Sequence, residues 1–386
     1  MKKLLGYRRP DGKIGVRNHL LVIPASVCAS ETARRIADQV EGAIAIPNQH
    51  GCTQIGEDFN ITERTLIGFG KNPNVAAVLV IGLGCENISP ALLADEISKT
   101  GKPVKSLIIQ EHGGAIKTQA KGVEILQQMA QYAASYERVP FNVEELIIAL
   151  ECGSSDTTSG LCANPALGIA SDLVISHGGS IILSETTEFI GAEHILAQRA
   201  NTPEIGQQIL DLVKECETKS LTMGVDLRGS QPTPGNISGG LTTIEEKSLG
   251  CIHKAGTSPI MGVLRYAQPI CGKGLYVMDS PGQDIESITG MVAAGAQIVI
   301  FTTGRGSPTG SPIAPVIKIT GNPKTAISMS DHIDVNCGTI IEGTETINQV
   351  GQGIFNEILS VANGKLSCSE TLGFREFGIY KIMSAF

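Results

Sequence analysis

Tryptophan is absent from the 386 residues, and aromatic side chains make up only 4% of them. No basic stripe with interleaved aromatics occurs, and the formal net charge is −8, so a nucleic-acid partner is not expected. No apolar run approaches the roughly 18 residues that a membrane span needs. The opening MKKLLGYRRPDGKIG has neither the apolar region nor the small-residue cleavage site of a signal peptide. These absences point to the cytoplasm, where the ten cysteines stay reduced. No Walker A loop is present, and in GLGCEN Asn87 stands where a G-x-G-x-x-G loop has its third glycine, which argues against a dinucleotide site. The cysteine spacing matches no zinc ribbon or finger.

What is present is an alternation of short aliphatic runs with helix-like segments, the signature of an α/β protein. HLLVIPA (19–25), AIAIP (43–47), VAAVLVIG (75–82) and VKSLIIQ (104–110) read as buried parallel strands. Helices are expected between them, one opening at Ser89-Pro90, where proline at the first helical position costs no hydrogen bond. SYERVPFN (135–142) reads as a linker, and LIIALEC, GSIILSE, LYVMDS, QIVIFTTG and PVIKIT then restore the rhythm. The expected architecture is two open, mostly parallel-sheet, Rossmann-like domains, residues 1–138 and 139–386. The Gly/Pro/Ser/Thr-rich stretch 229–243 is too long for an ordinary connection and so marks a functional or mobile segment.

Three cysteines share one setting. Cys52, Cys85 and Cys152 each come at or just beyond a strand's carboxyl end, beside glycine, and ligands bind at that edge of open α/β sheets. Core packing gives no reason for three thiols to repeat this placement, so they are candidate metal ligands, with His50 two residues before Cys52 as a fourth. Two readings remain: a catalytic Fe2+ held with His50 or a carboxylate, or an iron–sulfur cluster on three cysteines with one iron open. IIQEHGG places Glu111 at a strand end, and VISHGGSIILSETTE supplies His177 and Glu185. Glu111 and His177 are the expected acid–base pair. Arg305, among the glycines and hydroxyls of FTTGRGSPTG, suits a carboxylate clamp. EKSLGCIHKAGT adds Lys247 and Thr257 as further substrate contacts.

The segments GYRRPDGKIGVRN, HGC, GLGCE, QEHGG, CGSSDTTSGLCANPALG, ISHGGSIILSET, PTPGNISGGLTTIEEKSLG and FTTGRGS, in this order, resemble the altronate/galactarate dehydratase family. The resemblance runs over nearly the whole chain. It implies an iron-dependent lyase that removes water from a sugar acid to give a 2-keto-3-deoxy acid, and it adds Asp156 of CGSSD to Glu111, His177 and Glu185 as catalytic candidates. Single-chain members carry a further small domain of about a hundred residues before the GYxRxDG stretch. The resemblance therefore implies a separate small subunit and an oligomer, homo- or hetero-. The two-subunit sulfolactate sulfo-lyase has the same organisation, so cleavage of 3-sulfolactate to pyruvate and sulfite is the alternative activity. A non-catalytic ligand-binding subunit is the third possibility. In each case the partner molecule is a small hydroxy acid.

Overall fold

The computed structural model describes residues 3–383. β1 (Leu4–Arg8) and β2 (Ile14–Gly15) pair antiparallel at the start of the chain. β3 (His19–Pro24), β4 (Ala43–Ala45), β5 (Val75–Gly82) and β6 (Val104–Ile108) follow and run parallel in the order β4-β3-β5-β6. Every residue of β5 is buried, as a central strand covered by helices on both faces requires. Read by first appearance, this order is second-first-third-fourth, the flavodoxin-like arrangement. The helix Pro90–Ser98 begins as Ser89-Pro90 suggests, with the Ser89 hydroxyl accepting from the Leu92 N–H.

The linker region contains a short strand, β7 (Val139–Phe141), which pairs antiparallel with β1 and closes a three-stranded sheet. Beyond it lie β8 (Ile147–Gly153), β9 (Ser180–Leu183), β10 (Ile260–Leu264), β11 (Gly274–Met278), β12 (Ile298–Thr303), β13 (Val316–Thr320) and β14 (Val335–Asn336). They form one parallel sheet in the order β10-β11-β9-β8-β12-β13-β14. Without the edge strand β10, that is third-second-first-fourth-fifth-sixth, the Rossmann order. Its switch point lies where β8 meets β12, with Cys152 opposite Thr302 and Gly153 opposite Thr303.

One apolar seam joins the two parallel sheets. The helix Gly56–Lys71 buries Leu66 and Phe69 against Met291 and Val292 of the helix Asp284–Ala293. The segment after Phe374 straps across this seam. Phe377 meets Phe69 edge-on at 5.0 Å, and Asp58 accepts the N–H groups of Ile382 and Met383 at 2.7 and 2.9 Å. Residues 229–243 include the short helix Pro234–Ser238, and Asn236 Nδ2 donates to the Ser155 carbonyl at 2.9 Å. Among the described residues, no helix is long and apolar enough to cross a membrane.

Candidate active site and metal centre

β8 ends in Glu151-Cys152-Gly153, and β9 runs on through Ser184 to Glu185. The two carboxyl ends together therefore present two glutamates and one thiol to the crevice where this strand order places ligands. Glu185 has left-handed backbone (φ 73°), a conformation that costs a non-glycine residue stability and recurs where a side chain must be aimed. Its carboxylate turns onto the end of β8 and accepts the Cys152 N–H at 3.0 Å. A third element supplies the rest. On the helix Ile244–Ile252, Lys247 and Cys251 are one turn apart, and Lys254 lies a further turn on, so all three face the crevice.

Cys152 Sγ stands 3.6 Å from Cys251 Sγ and 3.7 Å from Glu185 Oε1. Ligand atoms of these three residues lie within 4.8 Å of one another, and all three are buried. Lys254, also fully buried, donates to Glu185 Oε2. Burial works against the charge on Lys254, but Cys152, Cys251 and Glu185 outweigh it and hold the ammonium protonated well above its usual range. The hydrogen bond between Cys152 and Cys251, together with burial, pushes the Cys152 thiol up. Burial, with Glu185 and Asp284 nearby, likewise makes Glu151 keep its proton. Its Oε2 accepts from the Ser287 hydroxyl at 2.6 Å.

Above this cluster opens a cavity of 480 Å³ bordered by Cys152, Glu188, Lys247, Asp284 and Arg305. Lys247 is paired with Glu188 at 2.7 Å. Despite its burial, that carboxylate keeps the ammonium charged. Asp284 reaches the cavity because residue 153 is glycine: a Cβ there would sit 2.4 Å from Asp284 Oδ2. Burial, then the charges of Glu185 and Glu188, raise the Asp284 carboxyl to about 7. Arg305 donates to the Gly235 carbonyl at 3.0 Å, and among the described residues no carboxylate pairs with it.

Two soft sulfurs and one carboxylate, with a cavity on one side, fit a divalent transition metal such as iron with a coordination position left open. The structure thus gathers Cys152 of the expected ligands with Glu185, expected as a catalytic residue, adds Cys251, and brings Lys247 and Arg305 to the cavity above them. The other candidates lie elsewhere. Cys52 is half-buried and Cys85 exposed at the carboxyl edge of the four-stranded sheet, and neither joins the Cys152 group. His50 packs there with Nε2 3.3 Å from the Ile379 carbonyl. Glu111 is exposed at the end of β6. His177 follows the helix Asn164–Ser176 at the opposite, amino edge of the seven-stranded sheet, its Nδ1 2.7 Å from the Leu173 carbonyl and its ring stacked on Phe355. The expected Glu111–His177 pair is therefore not assembled, because the two belong to different sheets. Thr257 spends its N–H and hydroxyl on Asp172, a turn-closing contact outside the cavity. Asp156 accepts from Thr158, Ser159 and Asn322, and shapes the loop after β8. The i, i+4, i+7 spacing of Lys247, Cys251 and Lys254 was the available signal for Cys251. Nothing local marked Asp284, whose role depends on where its helix begins.

Comparison with known proteins shows the family. The family model for the C-terminal part of D-galactarate/altronate dehydratase matches residues 143–385. That for the second domain of D-galactarate dehydratase/altronate hydrolase matches residues 6–134. The chain is 39% identical to the (2R)-sulfolactate sulfo-lyase subunit beta of Chromohalobacter salexigens, over 99% of this chain and 98% of that protein. It is 35% identical to the altronate dehydratase of Bacillus subtilis, over 97% of this chain and 77% of that one. To the galactarate dehydratase (L-threo-forming) of Escherichia coli it is 35% identical, over 93% and 72%. The chain belongs to the D-galactarate/altronate dehydratase family of lyases.

Proposed function

We propose that this chain is the catalytic subunit of a metal-dependent hydro-lyase that dehydrates a sugar acid of the altronate type to a 2-keto-3-deoxy acid. The charge balance of the cavity carries the reading. Lys247 is already neutralised by Glu188, which leaves Arg305, among the described residues, as one free cation beside hydrogen-bonding groups of Ser155, Thr233 and Asn236. That lining suits a singly charged polyol acid better than a doubly charged one. Arg305 clamps the carboxylate through paired N–H donors. Asp284, with a pKa near neutrality, takes the proton α to the carboxylate. The Lys247 ammonium, held charged by Glu188, donates to the departing oxygen.

Cys152, Glu185 and Cys251 would hold the metal, a single Fe2+ being favoured by a donor set with only two thiols. Once bound, the ion supplies Lewis-acid stabilisation of developing negative charge. Lys254 balances the charge of the ligand set and fixes Glu185.

A second reading, cleavage of 3-sulfolactate, is favoured by identity: 39% to the sulfo-lyase subunit against 35% to the altronate dehydratase. That relative is named a subunit beta, which supports a separate small subunit in a hetero-oligomer. Co-purification with that subunit, then assay on altronate, galactarate and 3-sulfolactate, tests both. A 2-keto-3-deoxy acid from altronate is expected. Pyruvate and sulfite from 3-sulfolactate alone would replace the first reading with the second.

A further inference from the structure

A second cavity, 680 Å³ and larger than the one above Cys152, lies at the other end of the same strand. Ile147, the first residue of β8, borders it, and Gly153, the last, borders the catalytic cavity. At the ordinary rise per residue these ends are about 20 Å apart, so the two spaces are separate. The walls come from both halves of the fold. The helix Gly56–Lys71 supplies Ile67 and Arg64, and the opposite wall is Ala293–Gly295 with the loop from Ala267 to Lys273.

The chemistry of this space is divided. Its floor is apolar: Ile14, Ile67, Ile147, Ile270 and Ala294. Its rim is cationic. Lys273 is exposed, and its ammonium donates to the Glu144 carbonyl rather than to a carboxylate. Lys13 is 63% exposed and only loosely associated with Asp11, at 3.9 Å. Two acids also border the cavity, Glu63 and Glu145, the latter bound to Arg8 at 2.6 Å, and Lys13, Arg64, Lys71 and Lys273 outnumber them. At the base, Ala267 adopts a left-handed conformation (φ 60°) although 1% exposed. That strain is stored in the loop that walls this cavity.

We infer that this cavity is a binding site, distinct from the active site, for an amphipathic organic anion, with the apolar body on the Ile67–Ala294 floor and the anionic head between Lys13 and Lys273. A cleft of this size, apolar within and carrying a few charged groups at the mouth, has the make-up of a small-molecule site. Because its walls belong to both sheets, an occupant fixes their relative position, and β8 connects that position to Cys152.

The test is fluorescence titration of the full chain with 8-anilinonaphthalene-1-sulfonate, an apolar body with one sulfonate. Saturable one-to-one binding is expected. It should be lost in Ala294→Trp, which fills the floor, and weakened at least tenfold in the Lys13→Glu/Lys273→Glu double variant. Arg305→Ala, at the catalytic cavity, should leave it unchanged. If Ala294→Trp fails to fold, the surface double variant decides. Non-saturating binding, binding indifferent to the double variant, or binding lost in Arg305→Ala would overturn the assignment. None of these readouts depends on turnover, so the failure of this site and the failure of the proposed activity are separable.

Discussion

Cys152 Sγ and Cys251 Sγ are 3.6 Å apart, although 99 residues separate them in the chain. Their approach joins the end of a central strand to one face of a helix, and Glu185 closes the third side. Cys251→Ser should therefore lower metal retention at least tenfold, measured by elemental analysis of the purified protein. Its circular dichroism should match the parent, because a serine fills nearly the same volume. Full metal content in the variant would show that the ion is held elsewhere. Since the Cys152 thiol is pushed up in the free chain, metal loading should also release protons, visible as acidification in weak buffer.

Asp284 is expected to set the acid limb of the pH–rate profile. A base must be ionised to act, so kcat/KM should rise with pH through about 7, where burial and the neighbouring carboxylates place this group. Asp284→Asn should cost a roughly 10²–10⁴-fold fall in kcat and abolish that limb. A profile unchanged by the substitution would assign the proton transfer to another residue.

The same carboxyl has a signature in stability. The folded chain holds its proton more tightly than an unfolded one, with a folded pKa of about 7 against the ordinary value of 3.8. Its favourable contribution is complete below the unfolded value and is lost as pH rises through about 7. Asp284→Asn should thus melt higher than the parent at pH 8, and the gain should vanish at pH 4. Equal melting temperatures at pH 8 would indicate that the site is wetter than its packing implies.

Arg305 rides on a loop pinned from below. Lys318, fully buried, donates to the carbonyls of Pro308 and Thr309, and Glu376 accepts the Gly310 N–H at 2.7 Å. Arg305→Ala should raise KM by roughly 10–150-fold, the worth of a hydrogen-bonded charge contact. Lys318→Met should act in the same direction, through the loop. A fall in kcat with KM unchanged in Arg305→Ala would mean that the guanidinium acts on the transition state instead.

Away from the site, Arg17 forks onto both oxygens of Glu370 at 2.6 and 2.8 Å and also reaches the carbonyls of Val16, Val361 and Lys365. Arg17→Ala strands a largely buried carboxylate and should cost about 3–5 kcal/mol, read by denaturant titration. A loss below 1 kcal/mol would show that solvent rescreens Glu370.

The parallel strands were legible because they are buried on both faces and read as unbroken aliphatic runs, VAAVLVIG above all. β1, β2 and β7 were not: they are short, and the pairing of β1 with β7 unites segments more than 130 residues apart. At the site, Cys152 and Glu185 could be found at strand ends, where topology alone predicts ligands. Cys52 and Cys85 satisfy the same local rule but sit on the other sheet, and no local pattern tells one carboxyl edge from another. Lys247 and Arg305 were readable from their loops, whereas Asp284 depends on a glycine 131 positions earlier leaving room for it.

The apolar seam between the sheets has a consequence for how such a chain can be divided. Leu66 and Phe69 on one side, and Met291, Val292 and Phe377 on the other, belong to one dry interior. A break at residue 138 would divide that interior and leave two halves with greasy, complementary wounds. Neither half is then expected to stay in solution without the other, because each would show water the face that the other covers.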